Sequence, residues 1–513
     1  MTAGTTLSLT LELAPRLLAA ASSSVGPRIE AELSDLLSEL GVARLPEVRL
    51  EAATPTTPLT AMPPIRLFGD GRLWHLADGA VADALAYVQG TPLVASVVDA
   101  DTVLDHLESD SDPSASERLD ELLALVCRQA LSDRAGVLLP SSPLQPALDL
   151  GMSLAGHDID ALSAAVDDES PEWLLDRLGA STVDLLIEPG YAREVTTQTG
   201  AAEYFQHARD GLFTELGLTL PPFRLCLDPS LKSAGFAFRV QGARTLPRVG
   251  LAQDTVLVND TAQRLALMNI EAHATVNPEN CLPAAVVARD HKEQLETAGF
   301  TTWDPLGYIV LTFATVLRRN AHALVTTSVT ARQVDQLGKA YPALKEQVDA
   351  QVPLGVVTSV LRELIGDGIS IQNLRQVLEL LLRYETDEEA SRGMDRVTFV
   401  RSGLADPISF KASRGTGTIV VYLLAPELED AVAAASSGRD SAAPEDAQER
   451  LCKALAAEMA HLPPTAQVPV VLTQDEVRRS VRDALRGRFP RITVLSYADL
   501  GPRYNIQPIA RIS

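Results

Sequence analysis

The chain has 513 residues, enough for about three to five domains; apolar (46%) and charged (22%) fractions are ordinary, but aromatics are only 4%, so its cores are aliphatic. The net charge of −23 is uneven: residues 1–180 hold 28 Asp and Glu against 10 Arg and no Lys, or −18, which leaves −5 for the remainder. Such an acidic front half excludes phosphate-backbone binding, which needs clustered Lys and Arg, and no run approaches the roughly 18 apolar residues of a membrane span.

In chain order, the first unit is a strand through Leu7, Leu9 and Leu11, then Glu12, an amphipathic helix, Glu39-Leu40-Gly41 and a second strand opened by Pro46. Four prolines between Ala53 and Pro64 mark a turn-rich stretch before the strand Ile65 to Phe68, and Asp70-Gly71 supplies a hairpin turn before Arg72-Leu73-Trp74. Helices are expected from about Asp101 to Leu107 and from Glu117 to Ala130, the latter on the stripe Leu119, Leu122, Leu123, Val126 and Cys127. Residues 137–180 read as a helical connector, with helices from Asp158 to Ala165 and around Trp173 to Leu175.

The first unit then recurs. Val183, Leu185, Ile187 and Glu188, Glu215-Leu216-Gly217, and a Pro-opened strand at Phe223-Arg224-Leu225 repeat its landmarks, with an offset of 176 residues at both Glu12/Glu188 and Gly41/Gly217. This is an internal duplication. Trp303-Asp304-Pro305 opens a helix through His322, and Asp304 takes the place at its start that Asp101 takes in the first copy.

Residues 328–400 are the most helical part, with Thr330 as a cap, Pro342 and Pro353 at helix boundaries, a stripe through Val360, Leu361 and Leu364, and a stop at Gly366-Asp367-Gly368 before Leu374 to Leu382. The last hundred residues alternate again: the strand Thr418 to Leu424, helices Pro426 to Ala435 and Ala447 to His461, and a β-α-β unit of Pro469 to Leu472, Asp475 to Arg488 and Ile492 to Tyr497. The fold class expected is mixed α+β and α/β in several domains: duplicated strand-helix-strand modules, a helical subdomain and a small C-terminal α/β subdomain.

Catalytic signatures are absent from the sequence: no HExxH, GxSxG, Walker loop or GxGxxG after a strand. The eight His never reach metal-ligand spacing, and Cys127, Cys226, Cys281 and Cys452 are far apart without CxxC, as reduced thiols of a cytoplasmic protein would be. No enzyme, metal or cofactor is expected. On one helix Arg478, Arg482 and Arg486 recur at i, i+4 and i+8, which reads either as a solvated face balancing Asp475, Glu476 and Asp483 or as a contact face for an acidic neighbour.

From about residue 183 to Ser513 the order and spacing of these elements resemble the cytoplasmic domain of the FHIPEP family of flagellar and type III secretion export gates. Pro342-x-Leu344, Val352-Pro353, Val360-Leu361-x-Glu363-Leu364-Ile365, Gly368-Ile369-x-Ile371 and Leu374-Arg375-x-Val377-Leu378-Glu379 carry the resemblance, together with Arg478 and the terminal Val494-Leu495-Ser496-Tyr497 with Asp499. It implies four subdomains, a homo-oligomeric ring, and a dimple for substrate-chaperone complexes between the first two subdomains. On this chain the dimple would be Asn277, Asn280, Leu282 and Pro283, with Thr312 on the neighbouring helix. Asn277 stands where the family usually has Asp, and Asn280 where it has an aromatic residue, so the usual chaperones should bind poorly.

The resulting division is 1–136, an acidic, degenerate copy of the first two subdomains; 137–180, connector; 181–327, the first two subdomains; 328–412, the helical third; and 413–513, the α/β fourth. No membrane domain of the family precedes the matched region in this sequence. Two functions stay open: a cytoplasmic, non-enzymatic docking scaffold for protein partners in a secretion-related assembly, or an interaction module repurposed for a bacterial conflict or signalling complex.

Overall fold

A computed structural model describes residues 6–39, 45–53, 64–74, 76, 79–93, 99–108, 115–138, 183–196, 210–218, 223–240, 243–279, 283–387, 393–437, 444–461, 469–486, 489 and 492–513. The chain divides into two units, residues 1–206 with 221–317, and residues 207–220 with 318–513. The connector helices expected within 137–180 and the landmark Gly41 fall outside the described residues.

The first unit opens with β1 (Thr6–Leu13), α1 (Pro15–Ala20), α2 (Val25–Glu39), β2 (Leu45–Ala52), β3 (Ile65–Gly69) and β4 (Arg72–Trp74), followed by α3 (Ala80–Gln89), α4 (Ala100–Glu108) and α5 (Ala115–Leu138). Its sheet runs β2-β1-β3-β4, with β1 parallel to β2 and antiparallel to β3. In β1 every second residue is apolar, so Leu7, Leu9, Leu11 and Leu13 all point to one face and are fully buried. Ile29, Leu33 and Leu36 of α2 and Leu119, Leu122 and Val126 of α5 close that core. Each such side chain contributes about 1.5–3 kcal/mol of transfer free energy before entropy is counted. Pro46 is accommodated on the edge strand β2, where its missing N–H costs little.

The second copy is β5 (Val183–Ile187), α6 (Pro189–Thr196), β6 (Phe223–Leu227), β7 (Gly235–Val240), β8 (Ala243–Arg244) and β9 (Arg248–Val249). Its sheet repeats the path as β6-β5-β7-β8, with β9 on β7. Register repeats as well: Leu9 faces Val48 as Leu185 faces Leu225, and Leu11 faces Leu67 as Ile187 faces Phe236. One property differs. All five residues of β5 are buried, because both faces of this sheet are covered, and the sequence shows it as the near-continuous Val-Asp-Leu-Leu-Ile instead of alternation.

A third sheet, β11-β12-β10-β13, follows, built from β10 (Thr255–Val258), β11 (Ala272–Val276), β12 (Pro283–Ala288) and β13 (Thr302–Trp303), with α7 (Ala262–Ala266) and α8 (Lys292–Thr297) beside it. The chain then returns through α9 (Pro305–Asn320), whose Phe313 packs tilted against Phe238 and whose Tyr308 packs edge-on against Phe236, with ring centroids 5.6 and 6.2 Å apart. Asp304 caps α9 by accepting from Gly307 N–H at 2.8 Å. Asp101 instead lies in the first turn of α4, whose start is held by Asp99, accepting from Thr102 N–H at 2.7 Å. Among the described residues, the first copy repeats the first sheet and not the third: between β4 and α5 it has α3 and α4.

The second unit holds a helical block and a parallel sheet. The block is α10 (Thr327–Ala340), α11 (Pro342–Gln351), α12 (Leu354–Gly366), α13 (Leu374–Thr386), α14 (Arg396–Gly403) and α15 (Ala405–Ala412). Pro342 takes the first helical position of α11, and Pro353 precedes α12. Thr330, expected as a cap, is instead buried inside α10; the cap is Thr326, which accepts from Val329 N–H at 3.2 Å. The sheet runs β16-β15-β14-β17, all parallel, from β14 (Thr418–Leu424), β15 (Val470–Thr473), β16 (Val494–Ser496) and β17 (Asn505–Ile512). Helices α16 (Pro426–Ser437), α17 (Pro444–Ala460) and α18 (Arg478–Arg486) pack around Tyr422, Leu451, Leu455 and Val471.

Candidate partner-binding site

After β11, residues 277 to 279 are held by polar side chains. Asn277 is buried; its Nδ2 donates to Asn259 Oδ1 at 3.1 Å, and its Oδ1 accepts from Glu279 N–H at 2.8 Å. An Asn serves here because both bonds use a neutral amide, one end donating and the other accepting. Thr315 of α9 donates its hydroxyl to Pro278 C=O at 2.9 Å and so ties the loop to the helix. Thr312, one turn earlier, is buried and donates to Tyr308 C=O at 2.9 Å, so its hydroxyl is spent on the helix itself. Pro283 is exposed at the start of β12, with its Cα opposite Val276. Asn280 and Leu282 lie outside the described residues.

The structure therefore ties Pro278 to α9 through Thr315, pairs Asn277 with Asn259, and sets Pro283 opposite Val276 across the β11-β12 pair. Sequence reasoning missed Thr315 and Asn259. The spacing of Thr312 and Thr315, two hydroxyls on one side of an apolar helix, was the available signal for the first; Asn259 has none.

Close by, Thr275 of β11 donates its hydroxyl to Pro92 C=O of the first copy at 3.3 Å. A cleft of about 360 Å³ opens there, shared by Pro92 and Leu93, by Ala234 and Gly250, and by Thr255 and His273. Its lining is mostly apolar. Among the described residues no cluster of three His, Cys, Asp or Glu has the geometry to hold a metal. No helix among them is long and apolar enough to cross a membrane.

The basic helix α18 is placed differently from a contact face. Arg478 is buried and its Nη1 donates to Asp367 Oδ2 at 2.7 Å; Arg482 donates to Ile492 C=O at 3.0 Å and lies 3.9 Å from Asp367. The i, i+4 pair thus faces inward, toward a carboxylate at the end of α12. Arg479 is the exposed one, pairing with Glu363 at 3.3 Å. The side chain of Arg486 is outside the described residues.

Comparison with known proteins places this architecture. The chain is 25% identical over 341 residues to the Low calcium response locus protein D of Yersinia pestis, covering 65% of this chain and 48% of that protein. It is 24% identical over 392 residues to the Flagellar biosynthesis protein FlhA of Bacillus subtilis, covering 73% and 57%. It thus spans about half the length of these relatives. Among solved structures, the Chlamydia pneumoniae CdsV protein matches at a TM-score of 0.58 and 28% identity, covering 68% of this chain and 100% of that one, and CdsV in complex with CdsO matches equally well. A nonameric EPEC SctV-C has the same fold, with a TM-score of 0.51 at 19% identity, covering 67% and 100%. The family match itself runs over residues 156–505, well beyond half of the chain, and on it the chain belongs to the FHIPEP family.

Proposed function

We propose that the chain is a cytoplasmic, non-enzymatic docking scaffold for protein partners in a protein-secretion assembly. The observation that carries this reading is the anchoring at Asn277: residues 277–279, leading toward the exposed Pro283, are held by Asn259 and by Thr315 of α9, and a partner need not supply the ordering entropy of that anchored part. CdsV, to which this chain is similar, was solved in complex with another protein, CdsO. The docking residues would be Asn277, Asn280, Leu282 and Pro283, with Thr312 setting the helix beneath them. The nonameric state of SctV-C supports a ring for this chain also.

The reading is tested by cross-linking capture from the native cell with the wild-type chain and with Pro283→Asp. It expects components of a secretion apparatus on the wild type, lost or reduced about tenfold on the variant. An unchanged set of captured proteins, or a set without any secretion component, sinks it. Light scattering checks the ring: a strict monomer at high concentration removes that part.

A further inference from the structure

The second face of the β6-β5-β7-β8 sheet is covered by the acidic first copy, through a small contact of its own. Tyr87 of α3 packs on Leu186, Leu231, Ala237 and Val249, and Cys226 of β6 borders the same patch. Charge surrounds this centre. Lys232 lies 3.0 Å from Glu121, donates to Val88 C=O at 2.9 Å, and sits over the Tyr87 ring at 5.2 Å; its backbone N–H donates to Tyr87 Oη at 3.2 Å. Arg248 pairs with Asp83, and Leu246 N–H donates to Gln129 Oε1 at 3.0 Å. Every ion pair named here has its acid on the first copy and its base on the second.

That anatomy, an apolar centre with a polar and charged rim, is that of a protein-protein interface and not of a continuous core. The first copy also has its own, far larger core, drawn from β1, α2, β3, α3, α4 and α5, with Leu246 of the second copy packed against it, so most of that core does not depend on the contact. We propose that the face bearing Lys232 and Arg248 is a docking surface for an acid-rimmed helical partner, and that the first copy is that partner, held in cis by a reversible, charge-steered contact. Docking is felt at the candidate site, because Arg248 also hydrogen-bonds the Tyr308 hydroxyl on α9, the residue whose carbonyl holds Thr312. The proposal does not depend on what binds at Asn277.

The test uses the full chain and reads Cys226 thiol modification by site-resolved mass spectrometry, with amide exchange on β5 and β1. Raising NaCl from about 0.05 to 1 M screens the rim and should speed Cys226 modification and β5 exchange while β1 stays protected. Glu121→Lys and Asp83→Arg should each speed Cys226 by about tenfold, and Asp83→Arg with Arg248→Asp should return it toward the wild type. Should a variant lose β1 protection it has unfolded, and the salt series on the native chain then decides. Cys226 and β5 indifferent to salt and to charge reversal would overturn the proposal, since the two copies would then form one inseparable core.

Discussion

Arg401 and Asp499 form a buried fork: Nε and Nη2 of the guanidinium donate to the two carboxylate oxygens at 2.9 and 2.6 Å, with both side chains almost wholly out of solvent. Nη1 of the same Arg401 reaches Asp367 at 2.7 Å, and Asp367 receives Arg478 at 2.7 Å. Asp499 also accepts from Ser496 N–H at 2.8 Å. One ion-pair cluster thus joins the end of α12, the α14 helix, α18 and the turn after β16. Removing one partner strands the other. Asp499→Ala should cost about 3–5 kcal/mol in denaturant unfolding of the second unit, because Arg401 keeps a buried charge without its bidentate acceptor. A loss under about 1 kcal/mol would mean that water reaches the guanidinium.

Asp395 caps α14, accepting from the N–H groups of Val397 and Thr398 at 2.9 and 3.1 Å and from the Thr398 hydroxyl at 2.7 Å. Partial burial by itself would raise its pKa, but these donors outweigh it and hold the carboxyl below its ordinary value. The sign follows: the contribution is present above the unfolded value of about 4 and is lost as pH falls through the lower native value. Asp395→Ala should therefore cost about 1 kcal/mol at pH 7 and progressively less toward pH 2. A wild-type to variant gap that stays constant over that range contradicts the assignment.

Local signals in the sequence were read correctly where the cause is local. Both opening strands, β1 and β5, were read from their apolar residues, though their different coverage, β1 alternating and β5 buried at every position, was not drawn from them. Asp304, Pro342 and Pro353 mark helix starts because each acts within its own turn. What failed depends on distance. Arg478 and Arg482 share a face as expected, but Asp367, 111 residues from Arg478, turns that face inward. β17 was not foreseen, since it is exposed through most of its length, carries no alternation, and is held by backbone pairing to β14. The candidate docking segment was proposed by resemblance alone; the Asn259 and Thr315 bonds at its residues 277 and 278 join residues 18 and 37 positions apart.

Thr330 shows a local failure. Thr326, Thr327, Ser328 and Thr330 all offer a capping hydroxyl, and the structure uses Thr326, leaving Thr330 fully buried with its Oγ1 unsatisfied. A buried hydroxyl without a partner costs its desolvation, about 1–3 kcal/mol. Thr330→Val keeps the shape and removes the polar atom, so it should raise the unfolding midpoint of the second unit, with a gain of about 1 kcal/mol. A destabilised variant would reveal a partner for that hydroxyl.

Gly217 closes the helical stretch 210–216 with φ of +73°, and it meets another segment of the same unit. A Cβ there would stand 2.2 Å from Gln372 N and 2.4 Å from its Cα, while Ile371 N–H donates to Leu216 C=O at 2.8 Å and Gln333 Nε2 donates to Gly217 C=O at 3.2 Å. Two costs therefore add at one position. The left-handed conformation alone costs an alanine about 1–2 kcal/mol, and the clash is with backbone, which cannot swing aside. Gly217→Ala should then lose more than the conformational cost alone, read as a lowered unfolding midpoint with faster amide exchange at Ile371. Gly368, also at positive φ (+73°) but with open space around its would-be Cβ, is the control: Gly368→Ala should pay the conformational cost only. Equal losses at the two glycines would show that the approach of Gln372 is not what selects glycine at position 217.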